Sequence, residues 1–186
     1  MPPIAEVSPL PDCSPEIGLS LWSLQETRRR TLIYVDGISP EALDLLPQGH
    51  RHSVATLLYH IAVFEVDWLY TDILGSPEDE ERMIPGCPPD IAAVLPHPML
   101  LPGHEYTPVS GERLAIHLER MRTIRERFIE VVGRMSREDF RTLRPSGDDM
   151  VTPEWVVEHL VQHEAEHRGQ IWEARLAAER EVGATP

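Results

Sequence analysis

No stretch of this sequence approaches the roughly 18–20 uninterrupted apolar residues that a membrane-spanning helix requires. The opening segment, Met1 to Ser14, has neither a basic start nor an apolar run of signal-peptide type, and it carries Pro2, Pro3, Pro9 and Pro11. It reads as a flexible leader, and the lack of an export signal points to the cytoplasm. Cysteine is scarce: Cys13 and Cys87 stand alone in proline-rich surroundings. Without a CxxC pair, a disulfide framework or a cysteine-based zinc site is not expected. Positive charge is also short, with 17 Lys and Arg against 31 Asp and Glu and a net charge of −14. That field repels nucleic acid phosphates and anionic membranes, so neither is expected as a partner. The one basic run, Arg28 to Arg30, reads as a solvated helix face. Strand-type alternation of useful length and internal repeats are missing too.

What is present is helical. The 186 residues, 41% of them hydrophobic, are enough for one domain with a real core, expected over residues 15–180 and followed by a tail at 181–186. Four segments show apolar residues at helical spacing. The first runs from Pro15 to Val35 behind Ser14, with Ile17, Leu21, Leu24, Leu32 and Val35 as its stripe. A short turn follows at Ser39–Leu43. The second runs from Ser53 to Leu74 and stops at Gly75; the third runs from about Gly111, capped by Ser110, to Val132. The fourth starts at Thr152-Pro153-Glu154 and runs to about Ala178. Between the second and third lies a proline-rich stretch, Ser76 to Val109, longer than the roughly 12–15 residues at which loops become uncommon and are often lids. The architecture expected is an all-α four-helix bundle with a long insertion between helices 2 and 3.

The chemistry concentrates in the fourth segment. His163 and His167 are four apart, so their rings are neighbours on a helix. They share an arc with Val156, Leu160, Ile171 and Ala174, which is the core face. Two imidazoles on a core face are costly unless satisfied, and a shared metal ion satisfies both. The third ligand must come from another helix. His60 is the best candidate, His117 on the third helix is its competitor, and His159 drifts toward the polar flank. His97 and His104, in the long loop, could approach from above, whereas His50 and His52 read as surface residues.

His163-Glu164-Ala165-Glu166-His167 also satisfies H-E-x-x-H, in which the Glu is the general base of a zinc protease. Here the context is wrong. The extended form needs Gly and His where this chain has Gln170 and Glu173, and no strand-rich half is visible to bind a peptide. Glu164 and Glu166 therefore read as solvated. Glu65 and Arg125 fall in the apolar arcs of the second and third helices, which suggests a buried ion pair. A bolder reading makes Arg125 the anchor for an acidic substrate or cofactor. Arg28 also faces the core and is expected to snorkel to solvent.

Two segments, Ser53–Ala62 with Glu65 and Trp68 following, and His163–Ile171, give the chain a resemblance to the DinB/YfiT-like family of metalloenzymes. The order of helices and the Ile38–Glu41 connector also fit, from about Pro15 to Ala178. The resemblance implies a four-helix bundle with one divalent transition metal, zinc or nickel first, on His60, His163 and His167. It selects His60 over His117. It further implies a homodimer and a small-molecule substrate, and in some relatives transferase or isomerase activity with a low-molecular-weight thiol. A metal-dependent hydrolase and a non-enzymatic metal- or ligand-binding bundle are the alternatives. The insertion at 76–109 is atypical and could roof the pocket.

Overall fold

In a computed structural model, which describes residues 6–76 and 83–183, the expected segments become α1 (Pro15–Val35), the short α2 (Pro40–Asp44), α3 (Val54–Asp67), the short α4 (Pro89–Ala92), α5 (Leu114–Gly133), the short α6 (Arg137–Phe140) and α7 (Pro153–Gly183). Parts of the expected leader (1–5), insertion (77–82) and tail (184–186) lie outside the described residues. Side-chain caps start the elements near the site. Ser53 Oγ accepts from Thr56 N at 3.2 Å, and Thr152 Oγ1 accepts from Trp155 N at 3.1 Å. α7 continues past the expected Ala178 to Gly183. α5 begins three residues later than expected, at Leu114 behind Arg113, without a side-chain cap bond.

The second long segment is not a single α-helix. After Asp67 it widens into a π-helical turn, Trp68–Ile73, in which Leu74 N–H reaches back five residues to Leu69 O at 3.0 Å. An extra residue shifts the helical phase, but twelve of the fourteen residues of α3 are buried, so no narrow apolar arc exists in which that slip would show.

α1 packs on α7 and α5, and α3 packs on α5 and α7, so the four long helices close a ring in the order α1–α7–α3–α5. Ile17, Leu21, Leu24, Leu57, Leu58, Ile61, Ile124, Phe128, Val156 and Ile171 are buried inside it. The chain thus has the all-α bundle architecture expected. One member of the predicted α1 stripe is displaced: Leu32 is 37% exposed. The buried line is Leu21, Leu24, Arg28, Thr31 and Val35. That line keeps a strict three-then-four spacing, and Leu32 lies one residue off it.

Strands were not expected, yet two short antiparallel ribbons occur: β1 (Leu100–Leu101) with β2 (Glu105–Tyr106), and β3 (Arg144–Ser146) with β4 (Asp149–Val151). Two or three residues per strand are too few to show alternation. The first ribbon belongs to the insertion and lies against the bundle. Tyr59 OH donates to His97 O, and Val109 N donates to Thr56 Oγ1 at 3.1 Å. Among the described residues, no helix is long and apolar enough to cross a membrane.

Candidate metal centre

α3 and α7 bring three of the predicted residues together. His60 Nε2 and His163 Nε2 are 3.1 Å apart, as are His163 Nε2 and His167 Nε2. One ligand nitrogen from each residue lies within 4.8 Å of both others. His60 and His167 are buried, and His163 is partly open. The one-turn spacing on α7 sets the pair, and packing of α3 against α7 supplies the third ring.

Burial, reinforced by the neighbouring histidines, pulls His60 down to about 2 and His163 down to about 4. Burial also lowers His167. All three are neutral imidazoles at neutral pH, with lone pairs available. A neutral ring nitrogen offers one proton or one lone pair, and His163 Nε2 faces two like atoms, so hydrogen bonding alone leaves the trio unsatisfied. A tetrahedral ion bound at 2.0–2.1 Å holds its nitrogens about 3.3 Å apart, close to the spacing seen. Donor type, protonation and spacing all fit one transition-metal ion, and the trio could hold it.

Around the trio stand residues that were not expected near it. His167 Nδ1 lies 3.0 Å from Gln170 Oε1. The amide oxygen accepts the Nδ1 proton and leaves Nε2 free to face the cluster. Gln170 sits three residues on, the helical spacing that could have revealed it. Tyr106, from β2, stacks on His60 with centroids 3.6 Å apart and planes 15° apart, and meets His167 edge-on at 5.9 Å. Nothing local in the sequence signals that contact. His52 stacks on the other side of Tyr106 at 4.3 Å and is half-buried, not the surface residue expected. Tyr106 and His52 form a wall of a cavity of about 850 Å³ that also borders Asp44, Arg51, His104 and Glu105.

The remaining histidines stand elsewhere. His117 is fully buried beside Arg120 and Glu112, with its Nδ1 3.3 Å from Arg120 Nη1. His97 also lies by Glu112, at 3.5 Å. His159 stacks on Trp155 at 5.1 Å, and its ring centre is 6.0 Å from that of His163.

Beside the imidazoles lies a second polar centre, with one residue from each long helix. Glu65 and Arg125 do pair, through Arg125 Nε to Glu65 Oε1 at 2.6 Å. The pair is half of a quartet. Arg28 donates to Glu65 Oε2 and Glu164 Oε1, each at 2.8 Å, and Arg125 Nη2 donates to Glu164 Oε2 at 2.9 Å. Two expectations are corrected. Arg28 does not snorkel: it is 7% exposed, and its third donor goes to Met121 O. Glu164 is not solvated: it is 1% exposed, whereas Glu166 is exposed. Burial opposes charge on Glu164, but Arg28 and Arg125 outweigh it and hold the carboxyl below its usual range. Isolated charges pointing into a core are costly, and the fold resolves that cost by pairing all four. The donors of Arg125 face Glu65, Glu164 and Leu24 O.

No curated protein matches the chain significantly. A family model described as the DinB superfamily matches residues 23–171, which include all four quartet residues and all three clustered histidines. The chain belongs to the DinB superfamily.

Proposed function

We propose that this chain is a metal-dependent enzyme that holds one divalent transition ion, zinc or nickel first, through His60, His163 and His167. The reaction proposed is group transfer or isomerisation of a small molecule with a low-molecular-weight thiol. The observation that carries this reading is the position of Glu164. In an H-E-x-x-H hydrolase the Glu must be free to take a proton from water. Here its carboxylate is committed to Arg28 and Arg125 in the bundle interior. That weighs against hydrolysis with Glu164 as general base and leaves the nucleophile, a thiol first in this reading, to ionise by coordination alone. When bound, the ion supplies the Lewis acidity that favours the ionised form of a coordinated thiol.

The chain's own residues supply the frame. Three imidazoles with no fourth His, Cys, Asp or Glu in the group among the described residues leave room for an exogenous ligand, the mark of a catalytic rather than a structural site. Gln170 holds His167 in the required tautomer. Tyr106 covers His60 and limits water on that side. A homodimer belongs to the same proposal. Leu32 and Ile33 of α1, at 37% and 60% exposure, lie with Leu114 and Leu118 of α5 around a shallow apolar cavity that offers a face for it.

The test is metal content by mass spectrometry on tag-free protein, followed by thiol titration of the cobalt-substituted form. One equivalent in the wild type, lost in His60→Ala, His163→Ala and His167→Ala with helicity intact, is the expected result. A thiol-induced change in the cobalt spectrum then supports transfer chemistry. Metal-dependent ester turnover without that change would replace it with the hydrolase reading.

A further inference from the structure

One feature of the seam between α3 and α7 has no part in holding the ion. Aromatic rings continue outward from His163 in an unbroken series. Phe64 lies 5.8 Å from the His163 ring at an angle of 28°, and Trp68 lies 4.7 Å from His159. Trp155 stacks on His159 with planes only 9° apart and stands 5.8 Å from Trp68. Phe64 and Trp68 come from α3 and the π-helical turn that follows it, and His163, His159 and Trp155 from α7, so packing of the two segments builds the row.

The row is open to water. Trp155 is 48% exposed, and Phe64, Trp68 and His159 are only partly buried. A core would bury such rings, since each carries a large apolar area. Trp68 also opens the π-helical turn, a local irregularity often found at functional sites. His163 is both a member of the proposed ligand set and the inner neighbour of the row. A molecule whose head reached the ion from the partly open side of His163 would meet these rings.

We propose that Phe64, Trp68, Trp155 and His159 form a subsite for a planar, uncharged apolar group of the substrate, an aromatic ring above all. Ring faces already aligned at the seam offer offset-stacked and edge contacts to a flat guest at little ordering cost. The inference rests on the metal-centre reading above and adds the substrate class.

The experiment uses the full chain loaded with zinc and two probes that share a metal-binding head, benzohydroxamate and acetohydroxamate. Binding is read by calorimetry, with zinc content measured on the same samples. The expected result is roughly tenfold tighter binding of the aromatic probe, the size of one good aromatic contact. In Trp155→Ala and Trp68→Leu that preference falls toward parity while acetohydroxamate binds as before; Trp155→Phe keeps most of it. Equal binding of the two probes by zinc-loaded wild type overturns the subsite and leaves the metal centre standing. So does a preference that survives both Trp155→Ala and Trp68→Leu. Sedimentation showing that Trp155→Ala dissociates a dimer also overturns it, because the row would then be covered by a second copy. Failure to take up zinc at all sinks the metal-centre reading and the subsite with it.

Discussion

His163 and Glu164 are neighbours in the chain and serve different polar centres: the histidine faces the imidazole cluster, and the glutamate closes the four-helix charge quartet. One turn of α7 therefore fixes both. The rotation of α7 that lets Glu164 meet Arg28 and Arg125 also presents His163 and His167 to His60.

This shared register predicts opposite outcomes for two adjacent substitutions. Glu164→Ala leaves two buried guanidiniums short of a partner and is expected to cost about 3–5 kcal/mol, as for other broken buried pairs. His163→Ala is expected to abolish metal uptake with little loss of fold stability in the metal-free protein. Urea unfolding of both variants without metal, beside metal analysis, separates them. Similar stability losses in the two would contradict the division of labour.

Gln170 is expected to matter for affinity alone. It is exposed and accepts from His167, so its loss leaves the core untouched. Gln170→Leu should weaken metal binding by roughly 10–100-fold, the usual effect of removing an outer-sphere partner of a ligating histidine. Competition with a chromophoric chelator measures it, and an unchanged dissociation constant would show that Nδ1 needs no such partner.

The four long helices and the His163–His167 pair rest on local spacing, which a sequence displays openly. Arg28 and Glu164 were misread because each was weighed against solvent alone. Their partners lie 37 and 136 positions from Arg28, and only the closed ring brings them together. Tyr106 was invisible for a related reason. It sits at the end of a two-residue strand inside the insertion, and its stack on His60 has no periodic trace. The π-helical turn leaves no trace because the segment before it is buried nearly all round, so a slip in phase has no exposed face against which to show.

His117 gives the fold a pH dependence separate from the metal centre. Burial first, then the charge of Arg120, pull its pKa down to about 4 from an ordinary value near 6.5. Between those values the unfolded chain takes up a proton that the folded chain refuses. Stability is therefore fully present above about pH 6.5 and falls as the pH drops toward 4, by up to about 1.4 kcal/mol per unit for one such group. Metal-free wild type and His117→Leu, unfolded in urea across that range, should differ in slope, with the variant the flatter. Parallel slopes would mean that His117 titrates normally in the folded protein.

Tyr106 is expected to act as a cover rather than as a chemical group. Its ring lies flat on His60 and forms part of the wall separating the cluster from the large cavity, and among the described residues nothing hydrogen-bonds to its hydroxyl. Tyr106→Phe should therefore behave as wild type. Tyr106→Ala should keep one equivalent of metal yet release it to excess chelator about tenfold faster, because the apolar shell of a metal site controls access to it. Stopped-flow chelation of the two variants decides the matter. If Tyr106→Phe is as fast as Tyr106→Ala, the hydroxyl contributes and the cover is polar in origin. If neither is faster than wild type, ligand exchange runs through the partly open side at His163, where the aromatic row begins.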